Sequence, residues 1–255
     1  MPTPAVASHP YQNQLLSALP HAERDRLVPK LELVTLPLGQ VICESNQRIR
    51  WGYFLTSSIV SLFYTTENGS TAETALVGND GVIGTAIFLG GDRSCNRAVV
   101  AVAGQSFRIP AMVLLEEFDR TAVLQHVLLR YTHALIAQIS QTAVCNRLHS
   151  IEQRFCRQLL MCHDRTGSSE LMMTQELIAQ MLGGRRESVT VAAGHLQDLG
   201  LIHYCRGRIT ILNRVGLEAN ACECYRIVED DLARQPGPKQ KVRFSQRPAA
   251  FEQAG

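Results

Sequence analysis

The densest run of side chains able to do chemistry is Arg185-Arg186-Glu187, with Thr190 one helical step further on. A guanidinium can hold guanine O6 and N7 through two parallel hydrogen bonds, and a carboxylate can accept from cytosine N4. Such a cluster suits base edges if one exposed face presents it. Arg206 and Arg208 flank Gly207 nearby, where they suit phosphates, contacts that position a protein without reading sequence. The eight thiols are the other candidate donors. Cys43, Cys95, Cys145, Cys156, Cys162 and Cys205 are scattered. Cys222 and Cys224 make the one close pair, and a single intervening residue is not the spacing usual for zinc. They read as idle reduced thiols, with no metal and no cofactor. No phosphate loop, Gly-x-Ser-x-Gly or His-Glu-x-x-His pattern is present, and the acidic pairs Glu116-Glu117 and Asp230-Asp231 read as solvated surface. An enzyme is therefore not expected.

The elements that must position the arginines are legible around them. Thr174 can N-cap a helix opening Gln175-Glu176, with the acid at the favourable end of the helix dipole. Leu177, Ile178, Met181 and Leu182 supply its apolar side, and Ala179 is small where a second helix must cross. Gly183-Gly184 predicts a tight turn. A second helix is predicted over about 186–199, with Val189, Ala192, Ala193, Leu196 and Leu199 as its buried stripe. The opposite face then exposes Arg185, Arg186, Glu187 and Thr190. Gly200 ends that helix, and Leu201–Tyr204 and Ile209–Leu212 predict a hairpin with Arg206 and Arg208 at its tip. Two helices and a hairpin in this order make a winged helix-turn-helix, in which the second helix enters the DNA major groove. The competing readings are a helical pair inside an ordinary domain, a ligand-binding module with a vestigial DNA domain, and a protein-interaction scaffold.

Upstream the texture divides in two. From Leu31 to Pro110 short β-rich runs alternate with turn residues, as expected of a sandwich or jelly-roll barrel. The runs are Leu33–Leu36, Gly39–Cys43, Tyr53–Leu55, Ile59–Tyr64, Thr71–Val77, Arg97–Val102 and Ser106–Ile109. From Ala111 to about Arg165 there is neither Gly nor Pro, which predicts a long helical region. Its middle carries a 3-4 repeat. Leu124, Tyr131, Gln138 and Cys145 share one heptad position, and Leu128, Leu135 and Thr142 the other. That stripe can pack on the barrel or pair with a second subunit. The end of the chain holds Arg234, Lys239, Lys241, Arg243 and Arg247 among three prolines and reads as a disordered basic tail.

This layout resembles the cAMP receptor protein/fumarate-nitrate regulator (Crp/Fnr) family over roughly residues 12–215. The most specific part is the run from Met173 to Val191 with the Leu199–Ile202 exit and the hairpin. The stretch Leu76–Gly84 resembles the approach to that family's phosphate-binding cassette, and Gln153–Met161 resembles the helix joining its dimer helix to its DNA domain. The resemblance implies an α+β chain in four parts. An N-terminal antiparallel β jelly-roll barrel, cyclic-nucleotide-binding-like, spans 14–120. A long dimerisation helix spans 121–147, with Leu124, Leu128, Tyr131, Leu135, Gln138 and Thr142 on its dimer face. A winged helix-turn-helix spans 148–228, and the basic tail spans 232–255. It implies a homodimer on a palindromic operator in double-stranded DNA, with reading helices about 34 Å apart. RNA polymerase is the further protein partner it suggests. Arg186 and Glu187 match the family's base readers. Arg185 stands where a Ser or Thr cap is usual, and Val191 where a basic residue is common. Together with Thr174, Thr190, Arg206 and Arg208 these arginines and Glu187 form the expected DNA-binding set.

The same resemblance locates a ligand pocket at Gly84, Thr85, Arg93, Arg97 and Ala98, in degenerate form. Thr85 replaces the Glu that takes a ribose hydroxyl, and neither Arg93-Ser94-Cys95 nor Arg97-Ala98 falls at the phosphate-binding spacing. An effector other than cAMP, or none, is expected. The cysteine cluster of the family's iron–sulfur branch is missing, since no Cys precedes Cys43; His126, His133 and Tyr131 read as surface or packing residues rather than haem ligands.

Bulk properties bound the rest. A 255-residue chain that is 45% hydrophobic and 19% charged can bury one large core or two ordinary ones. A net charge of +2 leaves any nucleic-acid affinity to local patches. No run is apolar enough to span a bilayer and the first residues lack a signal-peptide pattern, so a cytoplasmic protein with no membrane partner is expected.

Overall fold

In the computed structural model, which describes residues 8–67, 69 and 71–233, the chain folds as α+β. Two short helices, α1 (Gln14–Ser17) and α2 (His21–Leu27), lead into eight strands. These are β1 (Glu32–Leu36), β2 (Val41–Cys43), β3 (Trp51–Leu55), β4 (Ile59–Thr65), β5 (Thr71–Val77), β6 (Val82–Ile83), β7 (Arg97–Val102) and β8 (Gly104–Pro110). All their ladders are antiparallel, in two four-stranded sheets of order β1-β8-β3-β6 and β2-β7-β4-β5. The sheets share one apolar cluster. Phe54, Leu55, Phe107 and Ile109 enter it from one sheet, and Val60, Val77, Ala98 and Val100 from the other. This alternation of inward apolar residues makes the strands a two-layer unit rather than a row of hairpins. The seven strand runs anticipated from the sequence are all present. Val82–Ile83 and a 3-10 turn at Thr85–Phe88 are additional, and both are too short to announce themselves.

The region from 111 to 165 is three helices rather than one: α3 (Ala111–Arg120), α4 (Ala122–Leu148) and α5 (Ile151–Thr166). With no Gly or Pro available, capping residues provide the breaks. Thr121 is extended, and its side chain accepts from Leu124 N at 3.3 Å. Ser150 closes a capping box with Gln153, its hydroxyl accepting from Gln153 N while Gln153 Oε1 accepts from Ser150 N.

The heptad stripe of α4 faces the chain's own β unit. Leu124, Leu128, Tyr131 and Leu135 belong to the same apolar cluster as the strands, with Leu128 fully buried. Gly81 lets Tyr131 approach, since a Cβ at that position would lie 2.6 Å from the ring. Gln138 Nε2 donates to the Leu76 carbonyl of β5 at 3.1 Å, and Thr142 Oγ1 accepts from Arg157 of α5 at 3.0 Å. These six residues are thus spent within one chain. The expectation that they form a dimer face is corrected, because the sheet needs that apolar stripe to close its own core.

Beyond α5 come β9 (Glu170–Met172), α6 (Gln175–Leu182), α7 (Arg186–Asp198), β10 (Ile202–Cys205), β11 (Arg208–Ile211), α8 (Arg214–Asn220) and α9 (Cys224–Ala233). The hairpin β10–β11 gains a third antiparallel strand, β9, in the order β10-β11-β9. A second apolar cluster runs through this unit and includes Ile59, Phe63, Leu76, Val99 and Ala101 of the β unit. The two halves therefore share buried surface. The tail anticipated from 232 overlaps the end of α9 at Leu232 and Ala233, and lies outside the described residues from 234 onward.

Candidate nucleic-acid interface

Helix α6 begins where Thr174 caps it, the hydroxyl accepting from Leu177 N at 3.1 Å, and it buries Leu177, Ile178, Ala179, Met181 and Leu182. Gly183 ends it at φ 58°, a left-handed conformation that costs a residue with a Cβ roughly 1–2 kcal/mol. The chain thereby turns within three residues into α7. Arg185 occupies the N-cap of α7 with extended backbone and makes no side-chain cap, as its side-chain chemistry requires. Helix α7 buries Val189, Ala192, Ala193 and Leu196 against α5 and α6. Burial of that stripe turns Arg185, Arg186, Glu187 and Thr190 outward on one exposed face, together with Val191 (70% exposed) and His195. The structure therefore assembles the four residues that the sequence singled out on this helix.

Three local contacts tune this face. Arg186 Nε lies 3.6 Å from Glu176 Oε2 at the start of α6, with both side chains exposed, so the pair is weak and readily exchanged. Thr190 Oγ1 donates to the Arg186 carbonyl at 3.0 Å. His195 Nδ1 sits 3.1 Å from Glu152 Oε2 of α5. Glu176 went unremarked as a partner because the pairing depends on the crossing of two helices.

The hairpin is fastened to α7 by Gln197, whose Oε1 accepts from Tyr204 N at 2.7 Å. Its two-residue turn is Arg206-Gly207, both at positive φ (50° and 77°), the mirror-image geometry that matches strand twist. Arg206 and Arg208 are exposed there, Arg208 Nη1 lying 3.4 Å from Glu170 Oε2 of β9. Arg185, Arg186 and Glu187 also line a cleft of about 560 Å³ with Glu176, Gln180 and Thr71 of β5, so the start of α7 opens beside the β4–β5 hairpin.

Of the five residues assigned to a ligand pocket, Gly84, Thr85, Arg93 and Ala98 line a cavity of about 360 Å³ between the β unit and α4. Arg97 does not; it turns to Glu44, with Nε 3.2 Å from Oε2. Arg93 Nη1 donates to the Asn46 carbonyl at 2.7 Å. Much of the remaining wall is apolar, including Leu62, Val82, Ile83, Leu135, Ile136 and Ile139. Among the described lining residues none is acidic. The thiols behave unevenly. Cys43 and Cys95 stay apart, whereas Cys145, Cys222 and Cys224 converge on one another and on His149. Nothing in the linear spacing of 145 and 222 points to that meeting, although Cys145 and His149 lie one helical turn apart.

A β unit is thus joined by a long helix to a winged helix-turn-helix. Residues 153–220 match the model of the Crp-like helix-turn-helix domain. The C-terminal unit is thus a helix-turn-helix domain of the Crp-like kind, the class of domain that binds DNA. The global nitrogen regulator of Synechococcus elongatus is 26% identical over 174 residues, covering 65% of this chain and 78% of that protein. The structure of FixK2 from Bradyrhizobium japonicum is similar at TM-score 0.65 and 15% identity, covering 75% of this chain and 98% of that one. A CRP-family transcriptional regulator of Thermus thermophilus is similar at TM-score 0.61 and 18% identity, covering 74% and 96%. Among the described residues no helix is long and apolar enough to cross a membrane.

Proposed function

We propose that this chain binds a palindromic operator as a homodimer, reading bases through the N-terminal turn of α7 and holding phosphates with the hairpin. The observation that carries this is the division of α7 into a fully buried stripe and an exposed Arg185-Arg186-Glu187-Thr190 face. Arg186 and Glu187 have the donor and acceptor sets for a G·C pair, and Thr190 and Val191 stand on the next turn of the same face. Arg206 and Arg208 act on the phosphates. Selection from sheared genomic DNA with the purified protein tests this. Enrichment of inverted repeats whose half-sites lie about one DNA turn apart is expected, and retention of no fragment above background would sink the reading.

The dimer forms through the outer face of α4. Leu129, His133, Ile136, Ser140, Ala143 and Arg147 recur at 4-3 spacing and are all exposed, opposite the stripe buried on the β unit. Leu129 (47%), Ile136 (58%) and Val144 (45%) are large apolar groups in water there, which is the pattern of a coiled-coil seam without its partner. Ile136 also lines the cavity, so an occupant touches the helix that pairs.

The effector is a small, largely apolar molecule in the cavity below α4. Cyclic nucleotides do not suit it. Among the described lining residues the one arginine is tied to the Asn46 carbonyl, and none is a carboxylate that could take a ribose hydroxyl. Calorimetry with cAMP and cGMP is expected to show no tight binding, and a micromolar or tighter heat with either would overturn this assignment.

A further inference from the structure

The last turn of α4 and the start of α9 bring together four soft donors. Cys145 lies in the last turn of α4 and His149 caps that helix four residues on, while Cys222 and Cys224 arrive from the other end of the DNA-binding unit. Their ligand atoms all lie within 4.8 Å of one another. Cys145 Sγ is 3.5 Å from Cys222 Sγ, and Cys224 Sγ is 3.4 Å from His149 Nδ1. A tetrahedral zinc site with Zn–S of about 2.3 Å and Zn–N of about 2.0 Å has edges of about 3.8 Å between sulfurs and about 3.5 Å between sulfur and nitrogen. Both measured separations fall within a few tenths of an ångström of those edges.

We propose that Cys145, His149, Cys222 and Cys224 form a closed, structural zinc site that clasps the long helix to the C-terminal helix. Three thiolates and one imidazole are a soft, four-ligand set with no open position, the signature of structural rather than catalytic zinc. The surroundings complete it. His149 presents Nδ1 to the cluster while its Nε2 lies 3.3 Å from Glu223 Oε1, the carboxylate–histidine arrangement that orients a metal-bound imidazole. Gln141 Nε2 donates to Cys224 Sγ at 3.0 Å, as outer-sphere amides do to bound thiolates. Zn²⁺ with three thiolates and a neutral imidazole carries a charge of −1, and the guanidinium groups of Arg154 and Arg157 lie close enough to Cys145 to balance it. Binding releases the thiol protons to solvent and involves no change of oxidation state.

The position gives the site a consequence. The ion bridges the joint at His149-Ser150, where α4 ends and α5 begins. It ties the helix packed on the β unit to the helix that follows the winged unit, and thereby fixes how the reading head is held.

The test uses the full chain purified under reducing, oxygen-free conditions. Elemental analysis is expected to find about one zinc per chain. Cobalt(II) titration of the metal-free protein should give thiolate-to-cobalt charge-transfer absorption with the strong visible bands of tetrahedral cobalt. Chelation should lower the melting temperature of the wild-type protein. Cys145→Ser and Cys224→Ser should each weaken metal binding at least tenfold and abolish the chelator effect, whereas Cys95→Ser and Cys205→Ser, at exposed thiols elsewhere, should change neither. Should the buried variants fail to fold, the cobalt spectrum of the wild-type chain decides. Failure of the reduced wild-type protein to take up zinc or cobalt at micromolar concentrations would overturn the proposal. So would an iron–sulfur chromophore, or a Cys145–Cys222 disulfide as the cluster's only chemistry. None of these readouts involves DNA, so the outcome is independent of the operator proposal.

Discussion

At the scale of single residues the DNA contacts rest on exposure and chemistry together. Arg186 is exposed and its pair with Glu176 is weak, so it can leave that partner for a base at little cost. Arg186→Ala is expected to cost roughly 1–3 kcal/mol on the selected operator and to relax preference at one base position. Competition binding against single-base operator variants measures both, and an unchanged preference would remove Arg186 from the reading set. Arg206→Ala and Arg208→Ala should instead weaken all sequences alike and reduce the salt slope by about one phosphate contact each. The reading residues were legible in the sequence because a helix-turn-helix packs its two amphipathic helices locally: apolar offsets, Thr174 and Gly183 sufficed to orient Arg186. The ion pairs to Glu176 and Glu170 were not legible, since they depend on how neighbouring elements cross.

At the scale of elements α4 is the informative case. Its inner and outer faces make opposite predictions. Leu128 is fully buried against the strands, so Leu128→Ala should cost about 2–5 kcal/mol of folding stability whatever the oligomeric state. Ile136 is exposed, so Ile136→Glu should leave the melting temperature of the dissociated chain near that of the wild type while shifting sedimentation from dimer to monomer. If the variant still sediments as a dimer, the outer face is not the seam. The sequence showed a heptad stripe without saying what it packs on. A sheet and a second helix both accept an apolar ridge, and only the three-dimensional course of β5 and β6 beneath α4 assigns the inner face. Capping chemistry likewise divided a helical stretch that carried no Gly or Pro. Thr174→Ala should destabilise the domain by about 1 kcal/mol through loss of the α6 cap, measured by denaturant unfolding.

At the scale of the molecule the two halves are coupled through a buried polar seam. Glu73 of β5 is buried and accepts from Gln158 Nε2 of α5 at 2.9 Å, while Arg165 of α5 reaches Asp80 at 2.8 Å in the turn after β5. Burial pushes the Glu73 carboxyl up to about 7, against the pull of Ser61, Arg157, Gln158 and Arg165. The sign follows from linkage. The folded chain holds this proton more tightly than the unfolded one, so the stability it contributes is full below about pH 4.5 and is lost as pH rises through 7. Glu73→Gln should remove a pH-dependent loss on the order of 2 kcal/mol across that window. Urea unfolding at pH 5 and pH 8 checks it, and an equal pH dependence in variant and wild type would rule out Glu73 as its source. Thr71, two residues before Glu73 on β5, lines the cleft at the start of α7, and β5 packs on α6. A shift of the β unit against α6 would therefore alter access to the reading helix.

The sequence by itself determined what local periodicity and punctuation can carry: the β-rich half, the helical middle, the winged helix-turn-helix and the exposed arginines. Each is built of elements whose type is specified by near neighbours in the chain, through periodicity along a helix or strand and the caps and turns at its ends. The tertiary structure alone decided what depends on residues far apart in the chain. It turned the α4 stripe inward, drew Arg97 away from the cavity to Glu44, and joined Cys145 and His149 to Cys222 and Cys224 across more than seventy residues. The physical reason is common to all three. An apolar stripe, a guanidinium or a thiol states what it can bind, and only the folded chain sets which partner stands within reach.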